Sequence, residues 1–172
     1  MANGSSLLAG PLTRHGAIAA LATVLADQAT KLWLLFPFGL GGRGSVPVLP
    51  FLDLVLIWNT GISYGWFQQD GPLGQWALLG LKAIAVSLLW IWLARAESRL
   101  GAVSLGLIIG GAVGNAIDRL AYGAVADFVL LHVTTASFSF KWYVFNLADA
   151  AIVVGVAGLV YESFTRGAAK AP

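Results

Sequence analysis

Two aspartates carry the chemistry most open to a physical reading in this sequence. Asp127 stands in "VADF" and Asp149 in "FNLAD", with 21 residues between them. Asn146 precedes Asp149 by three positions, and Asn115, Asp118 and Arg119 are spaced i, i+3, i+4, so each set falls on one face of a helix. Two carboxylates brought close together cannot both ionise freely; one pKa rises and the pair shares a proton near neutral pH. One member then acts as base on a water while the other donates a hydrogen bond to a carbonyl under attack. That route hydrolyses a peptide bond with neither metal nor thiol.

A competing nucleophile is Ser63, inside the Gly-x-Ser-x-Gly string of "NTGISYG" at 59–65. A nucleophile elbow needs a strand-to-helix turn at the top of an α/β sheet, and a base. The chain shows no β/α alternation. His132 follows Ser63 and Asp127 in a workable order, but "VTTASFSF" after it offers no catalytic partner. Gly61 and Gly65 are instead expected to shape a tight turn at the site entrance, with Asn59 pointing at substrate or at the backbone.

The elements that must position these residues follow from composition. Of 172 residues, 58% are hydrophobic and only 10% charged, under half the ~25% usual in soluble domains. With a mean hydropathy of +0.80, the chain is an integral membrane protein of one domain, 1–172. It has no cysteine, which excludes disulfides, thiolate metal sites and a Cys nucleophile, and its two histidines exclude a His-rich metal site. No metal or cofactor is expected. The net charge of +2 is small, and no nucleic-acid partner is expected.

A crossing needs about 20 mostly apolar residues. Four segments qualify, near 14–36, 75–94, 101–119 and 144–164, leaving 37–74 and 120–143 as the longer connections. The first is too long for a cleavable signal peptide and runs through Asp27 and Lys31. "LLAGP" at 7–11 resembles the start of a lipobox with Pro11 where a cysteine would stand, and is expected to be a disordered leader.

Arg14, Arg95, Arg99, Arg166 and Lys170 gather on one side of these spans, against Arg43, Arg119 and Lys141 on the other. Both termini are therefore expected in the cytoplasm, and 37–74 and 120–143 outside. His15 then lies at the membrane face opposite Ser63. "FLDLVLIW" at 51–58, ending in an Asn-Thr-Gly turn, and the β-prone "YGAVADFVLLHVTTASFSFKWY" at 122–143 point to a small sheet or hairpin on the outer surface.

Ionisable residues within spans are costly and usually face the bundle interior or a wet cavity. Asp27 and Lys31 stand in the favourable i,i+4 order, either as a neutralised structural pair or with Asp27 also supporting the site from behind. Lys82 is expected to snorkel outward. Gly106, Gly110 and Gly114 form a small-xxx-small face for close helix packing. Asn115 and Arg119, together at the outer end of the third span, are expected to do more than pack.

Taken together, "DQATK" at 27–31, "NTGISYG" at 59–65, "GGAVGNAIDR" at 110–119, "VADF" at 125–128 and "FNLAD" at 145–149 resemble, in order, the motifs of the lipoprotein signal peptidases, bacterial signal peptidase II. Tyr64 and Ala126 depart mildly, standing where the family often has Phe and Val. The resemblance implies a mainly α membrane protein, with four transmembrane helices and a small extracytoplasmic β-cradle. It implies an intramembrane aspartyl endopeptidase of the bacterial inner membrane with Asp127 and Asp149 as its dyad. Asn59, Asn115, Arg119 and Asn146 would line the substrate and inhibitor site, with Asp27 contributing from the first span and Asp118 in structural support. The implied substrate is a diacylglyceryl-modified prolipoprotein, cut on the N-terminal side of its lipidated cysteine, and the implied inhibitors are globomycin-type peptides. A monomer within membrane lipid is expected. Two other classes compete: a proton-coupled carrier relaying through Asp27 and Asp149, disfavoured by four spans without an inverted repeat, and a non-enzymatic assembly factor built on helix packing.

Overall fold

Helices form where the apolar stretches are long enough to cross a bilayer, and the turns between them set which ends meet. The structure, a computed structural model, describes residues 7–61, 72–135 and 137–168. Its helices are α1 (Thr13–Leu35), α2 (Pro72–Ala94), α3 (Arg99–Tyr122) and α4 (Leu147–Ala168), and each contains a stretch long and apolar enough to span. The strands are β1 (Val46–Leu49), β2 (Leu52–Asn59), β3 (Val125–Thr134) and β4 (Ser139–Lys141).

α3 is the central helix, with α1, α2 and α4 all packed on it. Its glycines permit this. A Cβ at Gly110 would stand 2.5 Å from the Ala20 carbonyl oxygen and 2.7 Å from Thr23 Cβ on α1. On the α4 side, a Cβ at Gly155 would stand 2.6 Å from the Ser104 carbonyl oxygen of α3. Without a hydrophobic drive between helices in lipid, such backbone approach is the main source of association. Gly110→Ala is therefore expected to lower stability in detergent by about 1–3 kcal/mol, the usual cost of overpacking. Gly80 on α2 meets nothing within 4 Å of a built Cβ, so Gly80→Ala should leave the melting temperature unchanged or slightly raised; thermal unfolding of the two variants makes the comparison.

The side chain of Ser98 caps α3 by accepting from Gly101 N at 2.8 Å. The helix continues past the expected boundary at 119 to Tyr122, until Gly123, at φ +74°, turns the chain into β3. The expected disordered leader at 7–11 is corrected by two contacts. Trp90 Nε1 donates to Leu8 O at 3.1 Å, and Gly10 N donates to Thr13 Oγ1 at 2.8 Å, so this segment is anchored at the start of α1 and against α2.

The two connections expected to be β-prone join in one antiparallel sheet, ordered β1-β2-β3-β4. In its central pairing Ile57 lies opposite Asp127 and Asn59 opposite Val125, past an irregularity between Leu54 and Ile57. Leu34 at the end of α1, Leu40 and Phe128 form a buried cluster with Phe38, Val46, Leu54, Leu56 and Val129, fixing the sheet to the bundle. The C-terminal ends of α1 and α3 and the N-terminal end of α4 therefore adjoin the sheet.

Candidate active site

Asp127 enters from β3 and Asp149 from the first turn of α4. The chain between them is held by Phe145, whose N donates to Val129 O at 3.0 Å and whose carbonyl accepts from Val129 N at 2.8 Å. This places the next residue, fully buried Asn146, between the two acids. Asn146 Nδ2 donates to Asp127 Oδ1 at 2.6 Å and to Asn115 Oδ1 at 3.0 Å. Asp149 Oδ2 accepts from Asn146 N at 3.2 Å, while Asp149 N donates to Asn146 Oδ1 at 3.0 Å, a reciprocal cap on the start of α4. Asn115 Nδ2 reaches Asp149 Oδ1 at 2.8 Å. Asn59 Nδ2 donates to Asp127 Oδ2 at 3.1 Å, and its Oδ1 accepts from Gly61 N at 3.1 Å.

Asp127 and Asp149 line one cavity of about 130 Å³, shared with Asn59, Leu78, Leu81, Lys82, Asn115, Arg119 and Val125. Burial, and then the charge of Asp149, push the Asp127 carboxyl up to about 6.

Behind the cavity lies a second polar layer. Lys31 Nζ sits 2.8 Å from Asp27 Oδ2, 2.8 Å from Asp118 Oδ2 and 3.1 Å from Asn115 Oδ1. Asp27 Oδ1 accepts from Ala148 N at 3.0 Å, and Asp118 Oδ2 accepts from Ala126 N at 3.1 Å. Each of these two acids thus holds the backbone N–H of the residue just before one of the cavity aspartates. Arg119, expected to do more than pack, lines the cavity and also braces the backbone beside it. Its Nη1 donates to Thr60 O at 3.3 Å and its Nη2 to Gly61 O, so it clamps the chain leaving β2.

His132 Nε2 lies 3.1 Å from Asp53 Oδ1 and faces a separate groove with Phe51, Leu131, Val133, Phe140 and Trp142. The hydrogen bond from Ser45, and then His132, hold Asp53 below the usual carboxylate range. The base that Ser63 would need is therefore occupied away from the aspartate cavity. Ser63 itself, with Tyr64 and Gly65, lies outside the described residues. Among the described residues no group of three or more His, Cys, Asp or Glu side chains could hold a metal ion.

Residues 19–165 match the family described as signal peptidase (SPase) II. A lipoprotein signal peptidase of Nitrobacter hamburgensis is 65% identical over 160 residues, covering 92% of this chain and 98% of that protein. One from Rhodopseudomonas palustris is 59% identical over the same shares of the two chains. A solved structure described as a bacterial membrane enzyme, obtained by the in meso method, shares the fold with a TM-score of 0.75 at 24% identity, over 91% of each chain.

The chain belongs to the signal peptidase II family. It is accordingly a peptidase and a multi-pass membrane protein. Two features of this signal peptidase II site escaped the reading of the sequence. Gln28 donates from Nε2 to Asp118 Oδ1 at 3.0 Å, to Gly114 O at 3.1 Å and to Asp27 Oδ2 at 3.2 Å, tying α1 to α3; its only sequence signal was an amide beside Asp27 within a span. Lys82, expected only to snorkel outward, lines the aspartate cavity. α2 is apolar on every side, so its sequence does not show which face turns inward.

Proposed function

We propose that this protein is an aspartyl endopeptidase that removes the signal peptide from diacylglyceryl-modified prolipoproteins, cleaving N-terminal to the lipidated cysteine. The observation that carries this reading is the sharing of one cavity by Asp127 and Asp149, bridged through Asn146. Asp149 stands in the first turn of α4, where the helix dipole favours a negative charge. Asp127, desolvated in β3, holds the shared proton. Asp149 takes a proton from the attacking water, Asp127 donates to the scissile carbonyl, and the proton then passes to the departing amine. Asn59, Asn115 and Asn146 keep both carboxylates oriented.

The excess of Lys and Arg at one end supports a bacterial inner-membrane protein with cytoplasmic termini and the cavity near the outer face. At that depth a diacylglyceryl chain stays in lipid while its peptide bond meets the dyad. The exposed Phe51, Phe138, Phe140 and Trp142 of the sheet region suit such an interface.

The pH–rate profile of cleavage, run on lipidated and unmodified precursor together, tests this reading. The dyad works with one proton. Because the Asp127 carboxyl is raised to about 6, protonation is retained below that pH and lost above it. In the free enzyme kcat/KM should fall as pH rises past the upper apparent pKa of the pair, toward tenfold per unit. Bound substrate expels water and raises that value further, so the limb in kcat should lie on the alkaline side of the limb in kcat/KM. Rates unaltered between pH 5 and 8 would remove the proton-sharing dyad. Equal rates on the two precursors would remove the lipid-anchoring argument.

A further inference from the structure

Peptide hydrolysis leaves a charge problem inside this cavity. The C–N bond breaks, the water oxygen joins the carbonyl carbon, and the amine keeps the proton passed through the dyad. The new terminus of the signal peptide is then a carboxylic acid that ionises beside two aspartates. A third carboxylate in so small a space is repelled unless an uncommitted cation receives it.

The cations near the cavity can be assigned one by one. Lys31 is buried and spent on Asp27, Asp118 and Asn115. Arg119 lines the cavity too, but Nη1 and Nη2 each donate to a carbonyl, of Thr60 and of Gly61, which holds the guanidinium against the chain leaving β2. Lys82 lines the same cavity as Asp127 and Asp149 and makes no hydrogen bond or ion pair among the described residues. An ammonium at mid-span is expensive to keep in a membrane without a use.

We infer that Lys82 is the binding residue for the carboxylate created on the released signal peptide. It lies on the same cavity wall as Leu78 and Leu81, one helical turn and one residue away on α2, which supply an apolar lining beside the charge. Lys82 would thereby draw the product carboxylate away from the dyad, so that the next water can enter. This inference rests on the peptidase reading for the identity of the ligand, but not on which residue performs the hydrolysis.

The test is direct binding of two synthetic signal peptides to the full-length enzyme in lipid nanodiscs. One ends in a free carboxylate and the other in a carboxamide. Wild type should bind the acid at least about tenfold more tightly than the amide, the worth of one charge-assisted hydrogen bond. In Lys82→Met that ratio should fall to about one, and in Lys82→Arg it should persist. Affinity for the amide reports the fold of each variant, and Lys82→Gln takes the place of the methionine variant should that one not assemble. An acid-to-amide ratio that is the same in wild type and the neutral variant, or no preference in wild type, overturns the inference. Failure of the aspartyl mechanism would show separately, as continued cleavage by Asp127→Asn.

Discussion

Asp127→Asn and Asp149→Asn should each reduce cleavage of a lipidated precursor by about 10³-fold or more, within the range set by general acid–base groups. Both substitutions keep the shape of the side chain and a carbonyl oxygen. Each aspartate accepts through both oxygens, from Asn146 and Asn59 at position 127 and from Asn115 and the Asn146 N–H at position 149, so an asparagine keeps one of the two donors and turns an amide N–H toward the other. The variants should therefore fold with a stability loss of about 1–3 kcal/mol, the cost of one unsatisfied donor, and turnover compared per folded enzyme isolates proton transfer. The double variant should be little worse than either single one, because two groups that share one proton act as a unit. Ser63→Ala is the contrasting case and should retain substantial turnover. A precursor gel-shift with the four proteins decides among the classes: a carrier or scaffold cleaves with none of them, and a serine enzyme loses activity at Ser63.

The four spans were legible because lipid demands long apolar stretches, and the polar exceptions Asp27, Lys31, Lys82, Asn115, Asp118, Asn146 and Asp149 were conspicuous against them, while Asp127 stood in a connection. Helical spacing was enough to place Asn146 with Asp149, and Asn115 with Asp118. The partners of these residues were not legible. Local spacing paired Lys31 with Asp27, whereas the second partner, Asp118, lies 87 positions away on α3 and meets Lys31 only because α1 and α3 approach across the glycine face. The β2–β3 pairing that sets Asn59 beside Asp127 is equally non-local, and an irregularity in register between Leu54 and Ile57 cannot be foreseen from alternation. Arg119 was legible as a residue that does more than pack, but its backbone partners were not. Its geometry favours the carbonyls of Thr60 and Gly61, an attraction to backbone oxygen that a charge count misses.

Lys31→Met should be the most destabilising single change in the buried polar layer. Lys31 is 2% exposed, and its partners Asp27 and Asp118 are 0% and 1% exposed. Removing the ammonium leaves two carboxylates facing each other out of water, and breaking a buried pair in this way typically costs about 3–5 kcal/mol. The damage would not stop at stability. Asp27 holds Ala148 N and Asp118 holds Ala126 N, the residues immediately before Asp149 and Asp127. Carboxylates that repel each other, or that take up protons to avoid it, would shift both anchors, and a displacement of about 1 Å can cost about 10²-fold in rate. Lys31→Arg should not rescue, since a planar guanidinium cannot replace a compact ammonium among three converging acceptors. The triple variant Lys31→Met, Asp27→Asn, Asp118→Asn separates charge from position. It removes the uncompensated charges while each asparagine keeps an oxygen for Ala148 N and Ala126 N, so both the melting temperature and turnover should recover well above those of Lys31→Met. If Lys31→Met instead melts with wild type, the cation is not what holds the two acids together. The anchoring of Asp127 and Asp149 through Asp118 and Asp27 would then have to stand on hydrogen bonds alone.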